Sequence, residues 1–253
     1  MDTYNPRVAA RFYLPAFDGE SRRAMLPPDE SHHLAHVMRL GPGARVRVFN
    51  GRGGEWRATV AAVSRAGAAV DVDGPADPAP ECAVPIVLAQ ALLKGDHFDA
   101  VVRDATMMGV GEIWPLVTAH VAVPARAAGA RALERWQRVA VASAKQCGRA
   151  VVPEIRPLAP VEAVLAAEHA AVRLLLVEPA AKAAAVGRVE SLGDEARRHG
   201  AIVLIGPEGG WQAEETAAAV AAGILPWRLG TATLRADAAA AAAIAVLRYA
   251  WQV

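Results

Sequence analysis

Apolar and polar positions change rhythm once along this chain, near residue 80. Before that point apolar residues alternate with polar ones in short runs. Arg45-Val-Arg-Val-Phe49 is the clearest, and residues 55–63 and 68–72 follow it. A period of two turns one face of a strand towards a core and the other towards water. Asn50-Gly51 and Gly53-Gly54 supply turn chemistry between the first two runs. One helical segment, 29–38, interrupts the strands, so residues 11–73 read as a small β-barrel. Gly74-Pro-Ala-Asp-Pro-Ala-Pro80 has the composition of a linker. The division this implies is a first domain over 1–73, a linker over 74–83 and a second domain over 84–253.

Beyond the linker, continuous apolar runs alternate with longer segments of helical period. Residues 84–92, 112–117, 172–177, 201–205 and 225–229 read as strands. Residues 96–108, 130–146, 186–199, 212–222 and 235–251 read as helices. Such alternation predicts an α/β domain with a parallel sheet covered on both faces. Ligands of such sheets bind beyond the carboxyl ends of the strands, where each loop opens the next helix.

Composition narrows the picture a little. Over 253 residues the chain is 54% hydrophobic and 21% charged, which suits a folded core and excludes a disordered segment. The net charge of +1 is unevenly spread: residues 31–65 hold six arginines against Glu55 alone. Residues 126–156 hold seven basic residues against Glu134 and Glu154. Two readings stay open, a surface that meets phosphate and a plain arginine bias, since Arg outnumbers Lys 24 to 3. Cys82 and Cys147 are too few for a disulfide framework or a cysteine zinc site. Residues 1–11 lack an apolar signal core, and 238–247 is too short to span a bilayer. A cytoplasmic setting without membrane attachment is expected.

Three loops can carry chemistry. Ile205-Gly-Pro-Glu-Gly-Gly210 joins a strand to a helix, and its glycines let backbone approach a ligand closely, though a plain turn reads equally simply. The segment 229–237 leads into the last helix, where Asp237 is placed to cap it. Arg235 there is a cation at a helix N-terminus, a mismatch that points to a ligand or an acid beside it. Arg149 follows Gly148 at the end of the basic helix, placed for phosphate or for the helix C-terminus. His33 and His36 lack a third ligand, so no metal site is expected.

Arg11-Phe-Tyr, His33-Leu-Ala-His-Val-Met-Arg-Leu-Gly-Pro-Gly43, Gln146-Cys-Gly-Arg149 with Val152-Pro-Glu-Ile-Arg156, Leu204-Ile-Gly-Pro-Glu-Gly-Gly210 and Leu229-Gly230…Leu234-Arg235 occur in one order. In that combination the chain resembles the RsmE family of 16S rRNA (uracil-N3)-methyltransferases over nearly its whole length. The resemblance implies a PUA-like RNA-binding barrel followed by a SPOUT domain with a C-terminal trefoil knot. It also implies a homodimer that uses S-adenosylmethionine, without a metal, to methylate N3 of one uridine in 16S rRNA of the small ribosomal subunit.

Carried over residue by residue, the cofactor site falls on Leu176, Val177 and Glu178; on Ile205, Gly206, Pro207, Glu208, Gly209 and Gly210; and on Leu229, Gly230, Thr231 and Leu234. Glu208 or Asp237 would take the uridine N3 proton, while Arg149 or Arg235 would stabilise charge on the uracil oxygens. The RNA-facing set is Arg11, His33, Arg39, Arg45, Arg47, Arg57 and Arg149.

The chain departs from the family pattern at Thr231-Ala232, where Pro-Arg is usual, and at Asp237, where Glu is usual. It also carries Asp104 in place of Lys and Lys145 in place of Glu. Both of the latter changes reverse sign, which predicts an ion pair between them, within one subunit or across a dimer. Two other readings stay open: a SPOUT enzyme acting on another RNA site, or an RNA-binding or ribosome-assembly protein with impaired catalysis.

Overall fold

The computed structural model describes residues 9–122, 129–166, 172–181 and 188–251. The chain divides into two compact units, one comprising Met1–Glu81 with Ala144–Val152, the other Cys82–Ser143 with Pro153–Val253.

The first unit holds strands β1 (Arg11–Tyr13), β2 (Arg23–Met25), β3 (Arg45–Phe49), β4 (Glu55–Ser64) and β5 (Gly67–Pro75). They form one mixed sheet in the order β1-β3-β4-β5-β2, in which β1 runs parallel to β3 and the other pairs are antiparallel. Alternation in β3 works as the sequence predicts, with Val46 and Val48 buried in a core of Phe12, Leu14, Phe17, Leu34, Val60 and Val70. The hydrogen-bonded path among the described strands is open, with β1 and β2 at its two ends, so strand pairing does not close the expected barrel. Strand β5 runs further than expected: Gly74 and Pro75 pair with Arg57 and Trp56, which takes two residues out of the anticipated linker. Helix α1 (Pro28–His32) passes into a π-helical turn, His33–Val37, and Arg39 beyond it has a φ of 53°.

Glu55, expected to be one acid among six arginines, lies inside this unit with its side chain 1% exposed. It accepts two bonds from Arg11, each 3.0 Å, and one from Arg47 at 3.5 Å. Arg11 then donates to the carbonyls of Ala144, Lys145 and Arg149, so a charge neutralised by Glu55 also ties down the returning segment. Arg149 is clamped by Glu81 at 2.6 Å, and Lys145 by Glu30 at 2.7 Å. The guanidiniums of Arg11 and Arg47 are thus committed to buried Glu55 and that of Arg149 to Glu81, whereas Arg39, Arg45 and Arg57 are exposed. Of the two residues expected to pair, Asp104 bonds its neighbour Arg103 at 2.8 Å and Lys145 bonds Glu30 at 2.7 Å.

The second unit holds β6 (Ile86–Ala91), β7 (Glu112–Val117), β8 (Glu154–Ile155), β9 (Ala159–Pro160), β10 (Val172–Leu176), β11 (Ala201–Ile205) and β12 (Leu225–Trp227). Its helices are α2 (His97–Met107), α3 (Ala130–Cys147, whose last residues count with the first unit), α4 (Val161–Ala166), α5 (Gly193–His199), α6 (Ala213–Ala221) and α7 (Ala236–Ala250). Every strand pair is parallel, in the order β12-β10-β11-β6-β7-β8, with β9 also alongside β7. The chain starts in the middle at β6, builds to one side through β7 and β8, then crosses to build the other. That reversal is where an open α/β sheet opens a crevice at its carboxyl edge. The register aligns Gln90 with Ile205, Ile205 with Leu176, and Leu176 with Trp227, so the loops after β6, β10, β11 and β12 emerge side by side.

Helix α7 buries Ala236, Ala239, Ala240, Ala243, Ile244 and Leu247, a three-and-four spacing that lays one face against α2 and β11. Two differences from the predicted elements have local causes. The segment expected to be one helix over 186–199 has its first two residues outside the described residues. Its remainder begins as a 3-10 turn, Val189–Leu192, before α5. The two-residue strands β8 and β9 are too short to leave any period in the sequence.

Replacing Glu55 by Gln should destabilise the protein by about 3 kcal/mol, because it strands two buried guanidiniums without a counter-charge. Chemical denaturation measures this. Asp71→Asn, at an exposed pair with Arg23, should leave the midpoint nearly unchanged.

Candidate functional site

The loops after β6, β10, β11 and β12 enclose a cavity of about 570 Å³, within the usual size of a small-molecule site. Near the end of β6, fully buried Gln90 ties this edge of the sheet to the glycine loop, its Nε2 donating to the carbonyls of Ala91 at 3.1 Å and Gly206 at 3.4 Å. A Cβ on Gly206 would stand 3.1 Å from the Trp211 indole, which itself donates to the Leu176 carbonyl at 2.8 Å. That one bond joins the loop after β11 to the end of β10. Gly210 has a φ of 70°, and a Cβ there would lie 2.7 Å from the Glu178 carboxylate. Only glycine allows the turn and the close approach together.

Gly209 has a different reason to be glycine. A Cβ on it would meet His120 at 2.9 Å, and His120 Nδ1 lies 3.1 Å from the Gly209 carbonyl and 3.2 Å from that of Gly210. It does not line the cavity, and neither do Gly230 and Thr231 in the neighbouring loop. Of the residues predicted for the cofactor, Leu176, Val177, Glu178, Ile205, Gly206, Pro207, Glu208, Gly210, Leu229 and Leu234 do line it. Of the four predicted catalytic residues, Glu208, Arg235 and Asp237 are gathered there, and Arg149 is not.

Ala232, Thr233 and Ala236 of the segment 229–237 line the cavity too, and Leu93, His97, Pro179, Trp211 and Ala239, none of them predicted for the site, complete the wall. His97 had a signal that went unused. It opens the helix after β6, and such loops carry the ligand groups of this sheet type.

Arg235 is the N-cap residue of α7, with extended backbone and no side-chain cap bond, while Asp237 stands in the first turn. Asp237 Oδ1 accepts from the Ala238 amide at 3.0 Å, and Arg235 Nη2 reaches Oδ2 at 3.1 Å. The cation at the helix start therefore has its acid, as its position suggested. His97 Nδ1 lies 3.2 Å from the same Oδ2, and Arg235 Nη2 lies 3.2 and 3.3 Å from the two ring nitrogens. Burial pushes the Asp237 carboxyl up, but the Ala238 amide, the Arg235 guanidinium and His97 outweigh it and hold the group below the usual carboxylate range. Across the cavity Glu208 Oε1 accepts from the Lys94 amide at 3.1 Å. Three carboxylates, one guanidinium and the His97 imidazole thus face a space otherwise walled mostly by apolar side chains and backbone. The arrangement suits a ligand with a flat apolar body and a positively charged part. Among the described residues, no group of three or more His, Cys, Asp or Glu is placed to hold a metal ion.

Residues 80–248 match a family model described as an RNA methyltransferase domain, and residues 26–73 match an RNA methyltransferase PUA domain. A Mycobacterium bovis protein named ribosomal RNA small subunit methyltransferase E is 31% identical over 246 residues, spanning 94% of this chain and 90% of its own. The chain belongs to the ribosomal RNA small subunit methyltransferase E family. A Synechocystis member of the same name is 32% identical over 219 residues, 85% of this chain and 69% of that one. Among solved structures, the Neisseria gonorrhoeae family member bound to S-adenosyl methionine superposes with a TM-score of 0.84 at 26% identity, covering 96% of this chain and 98% of that one. A Legionella pneumophila methyltransferase solved with bound cofactor SAM gives 0.82 at 27% identity, again covering 96% and 98%.

The glycines of this family member should separate by mutation. Gly230→Ala, at a φ of 69° with nothing within 4 Å, should cost about 1 kcal/mol of backbone strain alone. Gly210→Ala should cost more, because the Glu178 carboxylate must move as well; urea denaturation of the two variants tests the order.

Proposed function

We propose that this chain transfers a methyl group from S-adenosylmethionine to small-subunit ribosomal RNA, at N3 of a uridine. The observation that carries this reading is the cavity at four aligned strand ends, in a chain of this family. Its backbone loops are held close by Gly206 and Gly210, and its charged groups are mostly acidic. Relatives named ribosomal RNA small subunit methyltransferase E align over most of this chain, and two solved relatives hold the cofactor.

The residues present fit that molecule. Leu176, Val177, Leu229 and Ala239 offer apolar surface for a base, the loops offer backbone amides and carbonyls, and Glu178 and Glu208 offer negative charge. Bound there, S-adenosylmethionine supplies an activated methyl group on a positively charged sulfur. The protein has to position the acceptor base, exclude water and take up the proton that N3 of uridine carries. Arg235, exposed at the rim, is the cation available to charge developing on the base. On the other unit, exposed Arg39, Arg45 and Arg57 are the RNA-facing residues of this reading, on a segment matched by the PUA family.

The same reading includes a homodimer, a trefoil knot and a cytoplasmic setting. Val246 and Tyr249 on α7 and Met107 on α2 are exposed apolar surface of the kind a second copy covers. The knot, a rare topology in which the C-terminal segment passes through a loop, enters as what the family resemblance implies. No helix among the described residues is long and apolar enough to cross a membrane.

Deleting the gene and mapping rRNA modifications should show one N3-methyluridine lost from the small subunit and restored by the wild-type chain. An unchanged map would overturn the proposal. Gly206→Val should lower S-adenosylmethionine affinity at least tenfold, about 1.4 kcal/mol, by displacing Trp211. Replacing Arg39, Arg45 and Arg57 together by Ala should weaken RNA binding and flatten its salt dependence by about one unit of slope for each phosphate no longer neutralised. Cofactor affinity in that triple variant should be unchanged.

A further inference from the structure

Five ionisable side chains line the cavity: Glu178, Glu208, Asp237, Arg235 and His97. Methylation at N3 of a uridine needs one of them to accept a proton near neutral pH. Asp237 suits this poorly, since the Ala238 amide and Arg235 hold it as a carboxylate and make it a weak base. Glu208 is exposed and already accepts the Lys94 amide. An imidazole is the side chain whose ordinary range falls where a proton acceptor works best.

We infer that His97 accepts the N3 proton, with Asp237 as the residue that orients its ring. The inference rests on the function proposed above. Asp237 Oδ2 lies 3.2 Å from Nδ1, so a carboxylate there selects the tautomer with hydrogen on Nδ1 and leaves Nε2 as the acceptor. Arg235 Nη2 lies 3.2 Å from Nδ1 and 3.3 Å from Nε2, and so against the ring face rather than in line with the Nε2 lone pair, where an incoming uracil would place its N3–H. The N3–H proton passes to Nε2, and the N–H electron pair becomes the N–CH₃ bond. The S–CH₃ bond breaks with its electrons on sulfur, and the imidazolium later loses its proton to water.

The groups facing the ring are few. They are Asp237 and Arg235, both from the start of α7, while Glu208 on the loop after β11 accepts the Lys94 amide of the loop before α2. Further along α2, Asp99 is paired with Arg135 and Asp104 with Arg103.

The test uses the full chain, S-adenosylmethionine and small ribosomal subunits from cells lacking the gene. Single-turnover methylation by the wild type, measured between about pH 5 and pH 8, should rise with pH as the group that must accept the proton is freed of its own. His97→Gln should be slower by about a hundredfold and flat across that window, with calorimetric cofactor affinity within about twofold of wild type. Nitrogen-15 NMR of the free protein should place the His97 hydrogen on Nδ1 and show that preference lost in Asp237→Asn. A His97→Gln variant with the wild-type rate and pH limb would overturn the assignment, as would one that no longer binds cofactor. A wild-type chain that methylates nothing would overturn the proposed function as well, so the two failures are distinguishable.

Discussion

Strand β11 is buried at all five of its positions, between β10 and β6 in a sheet whose pairs are all parallel. A strand so placed can present polar groups to a ligand only beyond its end, because both faces and both edges are occupied. Everything at the candidate site follows from that constraint. The register brings four strand ends level, and the chain beyond β11 must turn at once without side chains that collide with Trp211 or Glu178. Glycine at 206 and 210 is the sequence's answer. The Trp211–Leu176 bond and buried Gln90 then hold the loop to its neighbours, so the cavity is shaped by the sheet as well as by the loops around it.

Charge is organised differently in the two units. In the first, Glu55, Glu81 and Glu30 draw Arg11, Arg47, Arg149 and Lys145 inward, where they hold the segment 144–152 to the sheet. Removing one partner from such a cluster costs far more than the cluster adds relative to an apolar core. The arginine surplus therefore overstates the cationic surface, and Arg39, Arg45 and Arg57 are what remains of the expected set on the outside. In the second unit a smaller group, Asp237 with Arg235 and His97, stays at the cavity rim, where its members remain accessible.

What the sequence revealed depended on whether a cause was local. The apolar run 201–205, its glycine loop and the helix after it were legible because strand, turn and helix each leave a short-range pattern. The parallel pairing of β1 with β3 was not, since it joins Arg11 to Arg47 across an intervening strand and helix. Arg11 looked like a phosphate ligand because its acid, Glu55, is 44 residues away in the chain. Gly209 looked like a cofactor glycine, yet the crowding at that position comes from His120 on a separate loop. The position of His97 at the start of the helix after β6 went unused because its acid is far off in the chain; Asp237 becomes its neighbour only through the packing of α7 against α2.

Whether this protein is a methyltransferase turns on what occupies the cavity beyond β6, β10, β11 and β12. A crystal structure of the full chain soaked with S-adenosylmethionine tests it most directly. The predicted result is density lying against Gly206, Gly210, Leu176 and Leu229, within reach of the Asp237–His97 rim. Density at another place, or an empty cavity at saturating cofactor, would contradict it.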